Sequence, residues 1–213
     1  MGFPVLVLGK SGSGKTTSIR NMSPKTTVIC QVEKQRLPFK GNFPMTLKPA
    51  NYANITALFK EISEGKRPEI RSIVLDDSQF LLVNEFFDRA KETGYQKFTD
   101  LALNFRNLVH WVNIGLPDYV TVYFLHHTQI DDFGNIKAKT VGKLLDEKLT
   151  LEGVFDLVLM TEHDQNGWWF RTHSAGNDPV KSPMDMYTDD LIPNDLALVD
   201  AKVREYYGME GTK

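Results

Sequence analysis

Residues 3–16 read FPVLVLGKSGSGKT. Phe3 to Leu8 form a short continuous apolar run, the pattern of a strand covered on both faces inside a parallel sheet. The run ends at Gly9, and the glycines at 9, 12 and 14 free the backbone from side-chain sterics, so that successive N–H groups can turn inward as a nest for an anion. Thr16 to Met22 reads as a helix closed by Ser23-Pro24, and its positive end is directed at the same point. Strand, glycine-rich loop and helix in this order imply an α/β layered fold with a mostly parallel central sheet, whose ligand sits beyond the carboxyl ends of the strands.

The remainder of the chain supports that architecture. Thr26 to Val32 (TTVICQV) is a second β-branched run. An irregular, proline- and glycine-punctuated stretch from Glu33 to Asn51 precedes a helix expected from about Tyr52 to Glu64, stopped by Gly65 and Pro68. Ile70 to Leu75 is the next buried run, and helical sequence follows from Phe80 to Asn113 with a break near Gly94. Tyr119 to Leu125 and Gly153 to Met160 read as two further strands, separated by a polar and basic stretch from Asp131 to Lys148. Trp168 to Thr172 reads as an antiparallel addition, with Trp168 and Trp169 taken as hydrophobic packing. Leu196, Val199, Val203 and Tyr206 fall at helical spacing behind an Asn/Asp cap. We therefore expect a core over 1–190 and a C-terminal helical tail over 191–213.

With 41% apolar and 24% charged residues, a disordered or fibrous chain is excluded. A net charge of -2 gives no global basic field, so any nucleic-acid contact has to come from a local patch. The single cysteine, Cys30, lies in an apolar run and reads as a buried thiol. No leader pattern and no long apolar run is present, so the expectation is a cytoplasmic protein without a membrane segment.

Gly9 to Thr16 satisfies GxxxxGKS/T in its proper context, after a strand and before a helix. This assigns Gly9, Ser11, Gly12, Ser13, Gly14, Lys15, Thr16 and Thr17 to a triphosphate, with Lys15 on the β- and γ-phosphates and the Thr16 hydroxyl on Mg²⁺. IVLDD at 73–77 is a buried strand ending in carboxylates, and Asp76 is the expected metal-side acid. Two acids compete to direct an attacking water: Glu33, directly after the second strand, is favoured, and Asp77 neighbours the metal carboxylate. Gln129, after the fourth strand in LHHTQ, stands where an amide senses the γ-phosphate. The adjacent histidines 126 and 127 alternate across the strand, and no Cys/His/acid set has metal-ligand spacing. The lack of a guanine-specificity motif points to ATP. Two readings compete: a P-loop kinase of a nucleotide or other small acceptor, disfavoured because 131–148 contains no arginine to clamp a transferred phosphoryl group, and a nucleotide-dependent scaffold protein in which ATP only orders an interface.

GKSGSGKT, Glu33, IVLDDSQ at 73–79, FLHHTQIDDFGNIKAKTVGKLLDEKL at 124–149 and NDPVKSP at 177–183 together resemble the RecA-core P-loop ATPases, in particular small phage proteins of the single-strand-annealing and recombination type. The resemblance implies a three-layer RecA-like P-loop NTPase and an ATPase that uses ATP and Mg²⁺. It implies Glu33 as the water-activating acid and Gln129 as a switch toward a loop carrying Lys137, Lys139, Lys143 and Lys148 that faces DNA or a neighbouring subunit. It also implies Lys181, with Arg171 as competitor, as a residue acting in trans on an adjacent protomer. Single-stranded DNA, a homo-oligomer, a single-strand-binding protein or an annealase are the partners it suggests, in a host cytoplasm.

Overall fold

The structure, a computed structural model, describes residues 1–142 and 150–209. Strand β1 (Phe3–Gly9) is buried along its whole length, because it is flanked on both sides by parallel neighbours, β5 (Thr121–Ile130) and β7 (Leu157–Asp164). The sheet continues past β5 to β4 (Ser72–Asp76), β2 (Thr27–Gln31) and the short β3 (Thr46–Leu47), all parallel. On the other flank β8 (Gly167–Arg171) and β9 (Leu191–Pro193) add antiparallel strands. The order is β3-β2-β4-β5-β1-β7-β8-β9.

Alternation along these strands sends successive side chains to opposite layers. Leu6, Leu8, Cys30, Ile73, Leu75, Val122 and Phe124 pack against the helices α1 (Tyr52–Ser63), α2 (Gln79–Asp88) and α3 (Gln96–Gly115). Val5, Val7, Ile29, Val74, Tyr123, Leu125 and Leu159 form a second core with Ile19 and Met22 and with α4 (Leu196–Tyr207). Helices thus cover both faces of a mostly parallel mixed sheet, in keeping with a three-layer α/β arrangement. Cys30 is fully buried, and its thiol is pushed up to about 12 by that burial.

Local chemistry accounts for the element ends. Asn51 caps α1 through a reciprocal pair of bonds with Asn54, and Gly65 turns the chain out with φ +71°. The helical stretch expected over 80–113 is broken as its sequence implied, with Gly94 at φ +90° between α2 and α3. The segment after the glycine-rich loop is helical but a six-residue 3-10 turn, Thr16–Asn21. The strand expected over Gly153 to Met160 begins later than its apolar residues suggested: Leu151–Val154 is a 3-10 turn, and β7 starts at Leu157.

Two stretches differ from expectation. The Asp131 to Lys148 region is not all loop: β5 runs on past Gly9's partner His127, and Thr128–Ile130 pair antiparallel with β6 (Ile136–Ala138). Asp131 makes this hairpin by accepting the N–H groups of Phe133 and Asn135, and Gly134 takes the positive φ the turn needs. The stretch 191–209 contributes β9 to the main sheet and, through Leu196, Val199 and Val203, part of the second core. Tyr206, expected on the buried face of that helix, is 39% exposed, its hydroxyl bonded to Met184 O. Asp200 of α4 accepts hydrogen bonds from Ser72, the buried Tyr123 and Arg204. Arg204 in turn donates to the carbonyls of Tyr119 and Arg71, fastening α4 to the amino ends of β4 and β5.

Candidate functional site

A cavity of about 780 Å³ opens at the carboxyl ends of β1, β4 and β5. It is lined by Ser11 to Thr17 and by Asp76, Asp77 and His127, and also by residues from beyond the motif. The loop at its floor is fixed from below. Gly9 lies so close to Thr161 on β7 that a Cβ would sit 1.9 Å from the Thr161 hydroxyl. That hydroxyl is within hydrogen-bond reach of Leu8 O and, at 2.6 Å, of Ser13 Oγ, which itself donates to Lys10 O. Gly12 and Gly14 have φ of +74° and +91°, the left-handed conformations a nest of N–H groups requires.

Lys15 is 5% exposed and donates to Gly9 O at 2.8 Å and Lys10 O at 2.9 Å, bracing the loop around its own ammonium. Burial lowers this ammonium to about 8, opposed by the charges of Asp77 and Asp76. The Thr16 hydroxyl donates to Asp76 Oδ1 at 2.8 Å. Burial also dominates at Asp76, raising its carboxyl to about 6 against the hydrogen bond from Thr16. A buried carboxylate bonded to a hydroxyl, with a buried ammonium close enough for its charge to be felt, carries unmet electrostatic demand.

β4 ends at Asp76, and Asp77 turns the chain with φ +60°, a left-handed conformation tolerated by Asp. Its carboxylate lies 3.3 Å from His127 Nε2. Desolvation pushes against ionisation here, but the hydrogen bond and charge of His127, aided by Lys15, hold Asp77 below the usual carboxylate range. The next residue, Ser78, contacts Leu125 O and His126 Nδ1, while His126 Nε2 lies 2.8 Å from Lys139 O. A carbonyl can only accept, so Nε2 carries the proton and Nδ1 is left as an acceptor; the single Ser78 hydroxyl proton serves either Nδ1 or Leu125 O, and Leu125 O already accepts Ser78 N at 2.9 Å. His126 is thus a buried neutral imidazole, lowered to about 4 chiefly by desolvation, and it ties the turn after the two acids to the base of the β5–β6 hairpin.

The residues expected at the site divide accordingly. Ser11, Gly12, Ser13, Gly14, Lys15, Thr16, Thr17 and Asp76 line the cavity, with Gly9 beneath it. Glu33 does not line it; its carboxylate accepts from Asn84 on α2 at 3.1 Å, whereas Asp77 faces the cavity. Gln129 also falls outside. It follows His127 on the same face of β5, but two strand residues carry it about 7 Å further along, into the hairpin, where its amide oxygen lies 3.4 Å from Thr140 N. Lys137 lies within β6, half-buried, and Lys139 follows it, exposed; Lys143 and Lys148 lie outside the described residues. Lys181 is exposed and bridges Val158 through its backbone, and Arg171 is paired with Glu162. Neither contributes to this cavity.

Several lining residues escaped the sequence reading. Arg20, Gln35, Arg36 and Pro38 come from the turn after the loop and from the irregular stretch after β2. Trp168 is not core packing: it is 46% exposed, and its indole lies against Gly14, where a Cβ would meet it at 3.0 Å. Strand alternation separates it from Trp169, whose Nε1 donates to Asp164. Asn194 was absorbed into an expected cap, but the cap of α4 is Asp195, whose carboxylate accepts Ala197 N. Thr161 has a sequence signal, since Leu157, Leu159 and Thr161 share one face of β7.

Among the described residues no cluster of three or more His, Cys, Asp or Glu is placed to hold a metal by itself. The Thr16–Asp76 pair is instead an oxygen pair of the kind that holds a hard divalent cation jointly with phosphate oxygens. No helix of the described residues is long and apolar enough to cross a membrane. No family model matches the chain, and no curated protein matches it significantly.

Proposed function

We propose that the chain is a Mg²⁺-dependent ATPase with a RecA-like core that serves phage DNA recombination or replication, acting as an oligomer on single-stranded DNA in the host cytoplasm. The ATPase reading is carried by one observation: the buried Lys15, the Thr16–Asp76 pair and the Asp77–His127 pair converge on one cavity above a loop with two left-handed glycines. Lys15 and the loop N–H groups would hold the β- and γ-phosphates, whose charge would offset the burial that Asp76 and Asp77 only partly compensate. The Thr16 hydroxyl and Asp76 carboxylate would hold Mg²⁺, which when bound supplies charge neutralisation at the phosphate oxygens.

Asp77 supports the water-directing role better than Glu33, because it lines the cavity and is held ionised beside His127. An ionised acid there accepts a hydrogen bond from water and orients it, which is most of what phosphoryl transfer asks of a protein. His127, rather than Gln129, has the position of a γ-phosphate sensor, and the chain Ser78–His126–Lys139 O gives it a route to the hairpin.

The DNA reading rests on the resemblance and on that hairpin, which exposes Phe133 by 91% in its turn and Ile130 by 61% beside it, one step beyond the paired Gln129 and Lys137. An exposed aromatic beside lysines suits a flexible single strand. Lys181, exposed and remote from its own cavity, is the candidate for acting on a neighbouring protomer, ahead of the already paired Arg171.

The test is phosphate release from Mg²⁺-ATP with and without single-stranded DNA over a range of salt, with Lys15→Ala as blank. Turnover stimulated by DNA and weakened by salt is the expected result. Turnover that ignores DNA at every salt concentration removes the recombination role, and absence of Lys15-dependent turnover removes the ATPase itself.

A further inference from the structure

The cavity has a second half that phosphate chemistry does not use. The acids sit on β4 and, with His127, beside β5, on one side of the loop that follows β1; Trp168 on β8 and Asn194 just after β9 sit on the other. β5, β1 and β7 lie between β4 and β8, so the Trp168 side of the cavity is the side away from the Thr16–Asp76 pair and is free for the end of a nucleotide remote from the metal.

Asn194 is 3% exposed, lines the cavity, and its Nδ2 has no hydrogen-bond partner among the described residues. A buried amide N–H without an acceptor is costly and uncommon in a finished interior. Its placement is deliberate in the sense that the segment around it is tied down. Arg20 of the 3-10 turn donates to Asn194 O at 2.8 Å, Asn21 donates to Asp195 at 2.6 Å, and Asn194 N donates to Trp168 O at 3.1 Å. The amide and the indole both lie against Gly14. His163 backs the indole, ring centroids 4.1 Å apart, which fixes its plane at the cavity wall.

We propose that Trp168 and Asn194 form the base subsite of this cavity and select adenine: the indole stacks on the purine, and the Asn194 amide hydrogen-bonds its edge. The proposal rests on the nucleotide reading above and extends it to base recognition. A carboxamide offers one donor and one acceptor side by side, which matches the N6–H and N7 pair of adenine. Guanine presents two acceptors, O6 and N7, on that edge and leaves the amide oxygen unmatched.

The experiment measures equilibrium binding of Mg²⁺-ATP, Mg²⁺-GTP and inorganic tripolyphosphate to the full chain and to Trp168→Ala, Trp168→Phe and Asn194→Ala, each checked for folding by circular dichroism. Expected are a loss of about tenfold or more in ATP affinity for Trp168→Ala, retention within about twofold for Trp168→Phe, and unchanged tripolyphosphate affinity throughout. Asn194→Ala should melt no lower than the wild type, since it removes an unpartnered group, yet reduce an ATP-over-GTP preference of about tenfold to near parity. ATP affinity and base preference unchanged in Trp168→Ala and Asn194→Ala, with tripolyphosphate still bound, overturns the base subsite and leaves the phosphate site intact. Failure of the wild type to bind ATP and tripolyphosphate alike overturns the nucleotide reading and this inference with it.

Discussion

Asp76→Asn should make the ligand-free protein more stable while removing its response to Mg²⁺-ATP. Burial raises the Asp76 carboxyl from 3.8 to about 6, which is roughly 3 kcal/mol between the two protonation states. The folded state therefore binds this proton more tightly than the unfolded state. Between about pH 4 and 6 stability falls as pH rises, and above pH 6 the folded protein carries the whole penalty. Asparagine avoids it, and its amide oxygen still accepts from Thr16. The gain at pH 7.5 should be about 1–3 kcal/mol after allowance for the lost attraction to Lys15, or a rise in Tm of roughly 3–10 °C for a chain of this length. Thermal melts at pH 7.5 and pH 4.5, with and without Mg²⁺-ATP, provide the assay. The advantage of the variant should shrink to about a third at the lower pH, where Asp76 is largely protonated in the folded wild type but not in the unfolded chain, and Mg²⁺-ATP should stabilise the wild type alone. A variant less stable than the wild type by the same margin at both pH values would refute the claim that this carboxylate is held ionised against its surroundings.

Asp77→Asn should lower kcat for ATP hydrolysis by about a hundredfold or more with ATP affinity retained, while Glu33→Gln stays within about threefold of wild type; the reverse pattern in steady-state kinetics returns the water to Glu33. Gly9→Ala places a methyl against the Thr161 and Ser13 hydroxyls, and urea denaturation should show a loss of about 1–3 kcal/mol; a loss below about 0.5 kcal/mol means that the loop and β7 are not in rigid contact.

The half of the site built on the glycine-rich loop was legible because it is local. Gly9 to Thr17 are consecutive, and Asp76 ends an apolar run whose direction in a parallel sheet is settled by the motif on β1. The other half was not, because Arg20, Thr161, Trp168 and Asn194 meet only through the strand order, in which β7, β8 and β9 follow β1 on the side away from the acids. Asn194 precedes a helix, where its residue type has a sufficient explanation as a cap, and nothing local marks Asp195 as the one that does the capping. Gln129 was misplaced for a related reason. The apolar run of the fourth strand ends at Leu125, yet β5 continues to Ile130, because hairpin pairing with β6 extends it once hydrophobic burial has stopped.

The fastening of Asn194 and Asp195 to Arg20 and Asn21 joins segments 174 residues apart. During synthesis the glycine-rich loop leaves the ribosome well before β9 and the start of α4, so the wall opposite the acids is missing until they follow. A nascent chain that stops short of Asp195 cannot assemble the whole cavity.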